Sequence, residues 1–358
     1  MDGRGWSRWH HRMHRQLLDQ PELLPAHRRL LLAISGGQDS MALLRLLLDL
    51  RHLHHWELHL WHGDHRWHSD SGQIARDLNT WCQQQGLALI VSQAEPGQAS
   101  TERTAREWRY NQLLNHCTRL NCDAVTAHTA SDRAETMLIN LARGSDLAGI
   151  SSLPTQRALT AEQPNGPLLR RPLLQFSRRE TAAICAELQQ PIWLDPSNAS
   201  PIHARNRIRH SVMPVLEELH PGCSARMAAT AERLSHQAGI RSELTELALQ
   251  QLRREGGLDL RTLGQLSIAS RQLLLTHWFQ TNGVPMVRSE QLLQLSRRLG
   301  PGQPAGQANL SQGWRLTWRN GTITLDHGQP PPAAGQASQG GPMTSEPTHQ
   351  CDSAGKTD

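Results

Sequence analysis

The chain has 358 residues, 37% of them hydrophobic and 19% charged, with a formal charge of +5 and six cysteines. That length buries a large core and leaves room for two domains plus tails. Its longest apolar runs fall well short of the roughly 18 residues a membrane span needs. With no C-x-x-C pair and no leader-like N-terminus, the cysteines read as reduced thiols of a cytoplasmic protein.

Among the 37 lysines and arginines only Lys356 is a lysine. A G-x-x-x-x-G-K-[ST] loop, a kinase strand lysine and a Schiff-base lysine in the folded body are therefore excluded. Phosphate must be bound by backbone, hydroxyl, arginine or metal. The net positive charge is compatible with a polyanionic partner.

Residues 1–22 hold Trp6, Trp9, His10, His11 and His14 without a clear period and are expected to form an amphipathic lead-in helix. The apolar run Leu30–Ile34 then reads as a buried strand, and Met41-Ala42-Leu43-Leu44 has helical spacing. Between them stands Ser35-Gly36-Gly37-Gln38-Asp39-Ser40. Two adjacent glycines let the backbone turn with φ > 0 so that successive N–H groups converge on an anion. A helix starting at Asp39 or Ser40 adds free donors and the positive end of its dipole. Asp39 puts a carboxylate where phosphate belongs, which makes sense when it holds a magnesium ion. A capped glycine turn is the plainer alternative for such a loop.

Downstream, ELHLWHGD (57–64), LALIVSQ (87–93) and Asp123–Ala127 read as strands. Helical patterns cover 74–85, 101–117 and 132–141. This alternation argues a Rossmann-like, doubly wound parallel sheet of α/β class. In such a sheet ligands sit beyond the carboxyl strand ends, where loops 35–40, 62–71 and 127–132 emerge together. Residues 151–166 look like loop, and Ser177 with Glu180 forms a capping-box signal.

The second half is expected to be mainly helical, with helices over 225–254, 271–280 and 289–299. The alternation Trp314–Arg319, then Asn320-Gly321, then Thr322–Leu325, signals a small β-hairpin with a type I′ turn. Beyond His327 the Gly, Pro, Ser and Gln content predicts disorder. The expected organisation is a lead-in (1–22), an α/β domain carrying the glycine loop (23–215), a helical and hairpin domain (216–326) and a tail (327–358). Seven histidines between His52 and His68 are scattered over helix, strand and loop, a poor pattern for zinc.

The SGGQDS loop resembles the SGGxDS loop of the PP-loop ATP pyrophosphatases, which cleave ATP between its α- and β-phosphates. Further segments resemble the tRNA(Ile)-lysidine synthases. His62–Ser71 is similar to VDHGLRxxS, Ala105-Arg106-Glu107-Trp108-Arg109-Tyr110 to AREARY, and Thr126–Thr136 to AHHxxDQxET. Arg143-Gly144-Ser145 matches RGS, Asp195-Pro196-Ser197-Asn198 matches DPSN, and Arg205-Asn206-Arg207-Ile208-Arg209 matches RNxIR. These ordered segments cover roughly residues 30–220. Departures stand at Arg66 for Gly, His68 for Arg, Thr129 for the second His, Arg133 for Gln and Asp146 for Gly.

The resemblance implies a ligase that adenylates O2 of the wobble cytidine in the CAU anticodon of tRNA(Ile). Free L-lysine then displaces AMP at C2, which switches codon reading from AUG to AUA. It implies ATP as cosubstrate and Mg²⁺ held by Asp39 and Asp132, with catalytic roles for Asp39, His128, Asp132 and Glu135. The nucleotide would contact Ser35, Gly36, Gly37, Gln38, Asp39, Ser40, Asp64, His65 and Arg143. The tRNA would contact Arg106, Arg109, Asn198, Arg205, Asn206 and Arg209, and residues 216–326 would form a tRNA platform or a homodimer contact. Asp132 and Glu135 lie three apart, hence on one helical face. The alternatives are a tRNA thiolase, disfavoured by the missing C-x-x-C, and a noncatalytic ATP- or tRNA-binding module. A glutamine-dependent amidotransferase would need a second domain with a nucleophilic cysteine, for which no pattern is seen.

Overall fold

Leu30, Leu32 and Ile34 point to one side of the first strand and Leu31 to the other, and both sides are buried. A strand with two apolar faces needs helices on both. The computed structural model, which describes residues 6–66, 71–160, 163, 165–193 and 204–328, provides them. Two compact units divide between Arg241 and Ser242, so the sequence boundary at 215/216 falls inside the first.

In the first unit a six-stranded sheet runs in the order β3-β2-β1-β4-β6-β5. Its strands are β1 (Arg29–Ala33), β2 (Glu57–Asp64), β3 (Leu89–Gln93), β4 (Asp123–Thr126), β5 (Gln156–Ala158) and β6 (Leu168–Arg170). The first four and β6 are parallel, and β5 pairs antiparallel with β6 at the edge. The expected α/β doubly wound sheet is therefore present. Residues 151–166, expected to be loop, contribute β5, a three-residue strand too short and polar to show a period.

Helices α1 (Arg8–Asp19), α2 (Gln38–His54), α3 (Ser71–Gln84) and α7 (Arg178–Glu187) pack with Leu30, Leu32 and Ile34 in one core. Helix α4 (Glu102–Leu120) packs on the opposite face with Leu31, Trp61 and Leu169. The strand order reverses between β1 and β4, and crevices of this kind hold ligands in open α/β sheets. Helices α5 (Ala130–Ala142) and α6 (Leu147–Ile150) follow β4. After residues 194–203, helix α8 (Ala204–Arg207) passes through a π-helical turn, Ile208–Val212, into α9 (Met213–Leu219). Ile208, Met213 and Leu216 pack with Ala134 and Leu138 of α5, which seats this segment on the helix that follows β4.

A buried ion pair joins β4 to β6. Asp123 accepts from Arg170 Nε at 2.8 Å and from the Leu168 amide at 2.9 Å, and both side chains of the pair are 5% exposed. Arg170 also donates to the Glu22 and Leu23 carbonyls.

The long helix α10 (Cys223–Leu252) contains the division between units. The second unit holds β7 (Arg253–Arg254), β8 (Gly257–Asp259), α11 (Leu260–Gln265), α12 (Ile268–Thr281), α13 (Ser289–Arg298), β9 (Gly306–Asn309), β10 (Trp314–Arg319) and β11 (Thr322–His327). The expected hairpin forms, with Asn320 at φ 51° and Gly321 at φ 78° as a type I′ turn requires. It lies within an antiparallel five-stranded sheet, β7-β8-β11-β10-β9, rather than standing as an isolated hairpin. The remaining strands have two to four residues each, too few for a legible alternation. The expected tail from 327 lies outside the described residues except for His327, which closes β11, and Gly328. No helix among the described residues is long and apolar enough to cross a membrane.

Candidate functional site

Helices α1, α4, α5 and α7 begin with the side-chain caps Ser7, Thr101, Thr129 and Ser177, each in a reciprocal capping box. Helix α2 begins differently. Its N-cap is Gly37, with no side-chain cap, and the helix starts at Gln38, one residue before the sequence reading. The first-turn amides are thus left for an external anion, reinforced by the helix dipole.

The loop is fixed from within. Ser40 is buried, donates to the Gly37 carbonyl at 2.8 Å and accepts from the Ser35 amide at 3.2 Å. Ser35 Oγ accepts from the Gly37 amide at 3.3 Å. Gly36 sits at φ +81° with the Trp193 ring against it, so a Cβ there would stand 3.3 Å from that ring. Trp193 also donates its amide to the Gly36 carbonyl. Gln38, expected to face the nucleotide, turns its amide to the Arg178 carbonyl and Thr181 Oγ1, tying α2 to α7. It shapes the loop from behind.

Asp39 accepts from Arg178 at 3.2 Å and from the Thr181 hydroxyl. Burial pushes its pKa up, the neighbouring Asp132 pushes it further, and Arg178, Thr181 and Arg209 pull back only in part. Such a site favours an added cation. Two of the roughly four acceptor positions of a carboxylate remain for one.

Asp132 is differently occupied. Its Oδ2 accepts from the Thr129 amide (2.7 Å) and hydroxyl (2.9 Å), closing the cap of α5. Its Oδ1 accepts from Arg205 and Arg209, each at 3.0 Å. Glu135, one helical turn on, accepts from Arg205 Nε at 2.9 Å and from Arg209 at 2.8 and 2.9 Å. The two arginines expected to face tRNA thus grip the two carboxylates expected to be catalytic, one of them, Asp132, also an expected metal ligand. Burial would raise the Asp132 pKa, but Arg205, the Thr129 amide and Arg209 hold it well below the usual carboxylate range. Thr129, where the family pattern has histidine, supplies the cap. Asn206, next to Arg205 in the chain, is buried.

His128 shares a hydrogen bond with Thr126 Oγ1 at 3.0 Å. Burial and the flanking Arg171, Arg205 and Arg109 push its pKa far down, only partly offset by Asp132. The ring is neutral at pH 7 and is a poor proton acceptor until an anion neutralises those guanidiniums. Asp64 ends β2 and His65 follows it, at the same carboxyl end of the sheet. Asp64 is buried, which would raise its pKa, but donors led by the Arg66 amide lower it. His65 lies edge-on to Trp108 and receives a 2.9 Å hydrogen bond from Arg109. Gly63 leaves room for two indole rings here, since a Cβ would lie 2.5 Å from the Trp61 ring and 3.1 Å from the Trp108 ring.

Arg66 adopts φ 56°, which explains why the motif it resembles carries glycine there. A left-handed arginine costs about 1–2 kcal/mol, partly offset by the extra chain entropy of glycine. Arg66→Gly is accordingly expected to hold or raise stability by up to about 1 kcal/mol. Thermal melting checks this, and a clear loss of stability in the glycine variant would contradict it.

Other expected residues lie farther out. Arg143 is exposed at the last turn of α5, about 20 Å along the helix from the Thr129 cap. Among the described residues no side-chain hydrogen bond joins it to the phosphate loop. Arg106 is exposed and lies over the Tyr110 ring at 5.3 Å. Asn198 and His68 lie outside the described residues. Arg133, where the pattern has glutamine, is buried and donates to the Leu153 carbonyl at 3.0 and 3.2 Å. It has a structural task. Among the described residues no three His, Cys, Asp or Glu side chains gather as metal ligands. A magnesium ion therefore fits at Asp39 only if substrate phosphates complete its shell, which is the usual habit of that ion.

Residues 9–216 match the PP-loop domain family. The chain is 54% identical over 330 residues to the tRNA(Ile)-lysidine synthase of Parasynechococcus marenigrum (strain WH8102), covering 92% of this chain and 97% of that protein. It is 36% identical over 330 residues to the tRNA(Ile)-lysidine synthase of Prochlorococcus marinus (strain NATL1A), covering 88% and 99%. Among solved structures, the U34-tRNA thiolase NcsA of Methanococcus maripaludis with its [4Fe-4S] cluster superposes with a TM-score of 0.53. It is 16% identical and covers 63% of this chain and 79% of that one. At that identity the likeness concerns the fold.

Proposed function

The chain belongs to the tRNA(Ile)-lysidine synthases, ligases built on a PP-loop domain, and from that premise we propose how its own residues carry out lysidine formation in tRNA(Ile). The observation that carries the reading is the uncapped start of α2, with Gly36 left-handed and Asp39 poised beside it. ATP lays its phosphates on the amides following Gly36, with Ser35 as a hydroxyl donor. Asp39 would be the protein ligand of a Mg²⁺ ion that arrives with the phosphates, and such an ion would supply neutralisation of the charge that builds in phosphoryl transfer.

The wobble cytidine of the CAU anticodon presents O2 to the α-phosphorus. A ring carbonyl oxygen is a poor leaving group, and its adenylation makes C2 open to attack. The ε-amine of free L-lysine, with pKa near 10.4, must lose a proton first. Asp132 and Glu135 recognise its ammonium once Arg205 and Arg209 turn from them to incoming phosphates. Those same anions relieve the charge that keeps His128 neutral, which raises its pKa into a range useful for proton relay. Arg106 and Arg109 approach the RNA, and the second unit, with Arg253, Arg254, Arg297 and Arg298, serves as a tRNA platform. The reaction belongs to the cytoplasm, where ATP, free lysine and tRNA meet.

Product analysis tests the order of steps. Pyrophosphate release is expected to require tRNA but not lysine, and AMP release to require both. Pyrophosphate release without tRNA, or AMP release without lysine, would contradict the sequence of events.

A further inference from the structure

Four guanidiniums gather around Tyr110, the only tyrosine in the chain. Arg157 of β5 lies over its ring at 4.7 Å and Arg106 at 5.3 Å. Arg109 stands one turn along α4 from Arg106, on the same helical face. Arg171, which follows β6, is 1% exposed.

Among the described residues none of the four has a carboxylate partner within ion-pair distance. Their acceptors are neutral. Arg157 donates to the Ala158 and Leu159 carbonyls at 2.7 and 3.1 Å, Arg171 to the Pro154 carbonyl at 2.6 Å, and Arg109 to His65. The buried Nε of Arg171 has no protein partner. Glu102 is the one carboxylate whose charge supports Arg109, against the opposing charges of Arg106 and Arg205. Burial pushes the Arg171 pKa down to about 10. A concentration of positive charge held by neutral groups works against folding, and it has a use only when an anion completes it.

The four are graded from solvent inward. Arg106 is exposed, Arg109, Arg157 and Tyr110 are half-buried, and Arg171 is buried. That gradient suits a strand running from the surface toward the phosphate loop better than a closed pocket for one small anion. Stacking on an aromatic face holds a guanidinium while leaving its donor edge free for a phosphate oxygen.

We propose that Tyr110 with Arg106, Arg109 and Arg157, backed by Arg171, forms a clamp for RNA backbone phosphates beside the reacting base. The clamp rests on the reading of the chain as a tRNA-modifying ligase. It gives the β5–β6 edge hairpin a specific task in substrate binding, and Tyr110 acts as a positioning residue that holds two arginines.

The test is the salt dependence of binding to tRNA(Ile) with a CAU anticodon, by filter retention, for the parent chain and for Arg106→Gln, Arg157→Gln, Arg157→Lys, Tyr110→Phe and Tyr110→Leu. Each glutamine variant is expected to bind several-fold more weakly and to flatten the log K against log salt slope by about 0.7–0.9. Arg157→Lys keeps the slope but loses affinity, and Tyr110→Leu loses more affinity than Tyr110→Phe, which keeps the ring and gives up only the hydroxyl that bonds Arg157 and Arg171. KM values for ATP and for lysine stay at the parent level. Arg106 is exposed, so its variant reports even if a change at Arg157 disturbs the hairpin. Parent-like slopes in both glutamine variants overturn the clamp. So does a KM rise confined to lysine, which assigns the guanidiniums to the lysine carboxylate. A parent chain that does not bind this tRNA at all overturns the ligase reading and the clamp together, which keeps the two failures apart.

Discussion

Asp39→Asn is expected to lower the rate of lysine transfer by about 10²–10³-fold or more without lowering the thermal midpoint. The rate loss follows from the role of Asp39 as the carboxylate with unused acceptor positions beside the uncapped helix start. Under the proposed role of Asp39 as magnesium ligand, its loss costs several kcal/mol in the transition state, and each 1.36 kcal/mol is about tenfold.

The stability half of the prediction has its own sign. Burial and Asp132 raise the Asp39 pKa in the folded chain, so the ionised form is disfavoured by folding. Its cost is fully present above the folded pKa and is relieved as pH falls through it. Asparagine removes that charge at neutral pH while still accepting a hydrogen bond from Thr181. Rate measurements and melting curves on the same preparation check both halves. Full activity in the variant would sink the metal assignment, and a collapse of the fold would sink the electrostatic account.

Asp123→Ala is expected to destabilise the first unit by about 3–5 kcal/mol, because it leaves the Arg170 guanidinium buried without its counter-charge. For a unit of this size that is a fall of roughly 6–20 °C in midpoint. Arg170 holds the Glu22 and Leu23 carbonyls, β4 and β6 at once, so the loss spreads across the sheet edge that carries His128 and Arg171. An apolar pair of similar volume at 123 and 170 is expected to recover much of the loss, since the penalty lies in the orphaned charge. Calorimetry of the two variants separates this from a general intolerance of substitution. An Asp123→Ala chain that melts like the parent would show the pair to be dispensable.

Much of the first unit was legible because its strands are apolar on both faces and its helices are long. Leu30–Ile34 and the run after SGGQDS could hardly be read otherwise. The edge hairpin escaped because β5 is Gln-Arg-Ala, and its partner β6 contains the arginine that pairs with Asp123. The short strands of the second unit escaped for the same reason, lying among glycine and arginine with no alternation to follow.

In the site, the spacing of Asp132 and Glu135 correctly placed them on one face. What it could not give was the occupant of that face. Arg205 and Arg209 reach it from α8 and the π-helical turn after it, more than 69 residues further along the chain, and only packing against α5 brings them there. The Gln38 side chain braces α7 while its main-chain amide belongs to the uncapped first turn of α2, a division of labour that a motif letter does not reveal. Arg66 was flagged as a departure from a glycine position, and its left-handed backbone supplies the physical reason for that glycine.

The measurement that bears most directly on the central claim is incorporation of labelled lysine into a tRNA(Ile) transcript with a CAU anticodon, in Mg-ATP, alongside a transcript whose wobble cytidine is replaced by uridine. Label entering the first transcript only, and only with ATP, is the predicted result. Equal labelling of both, or none in either despite intact binding of ATP and tRNA, would contradict the account.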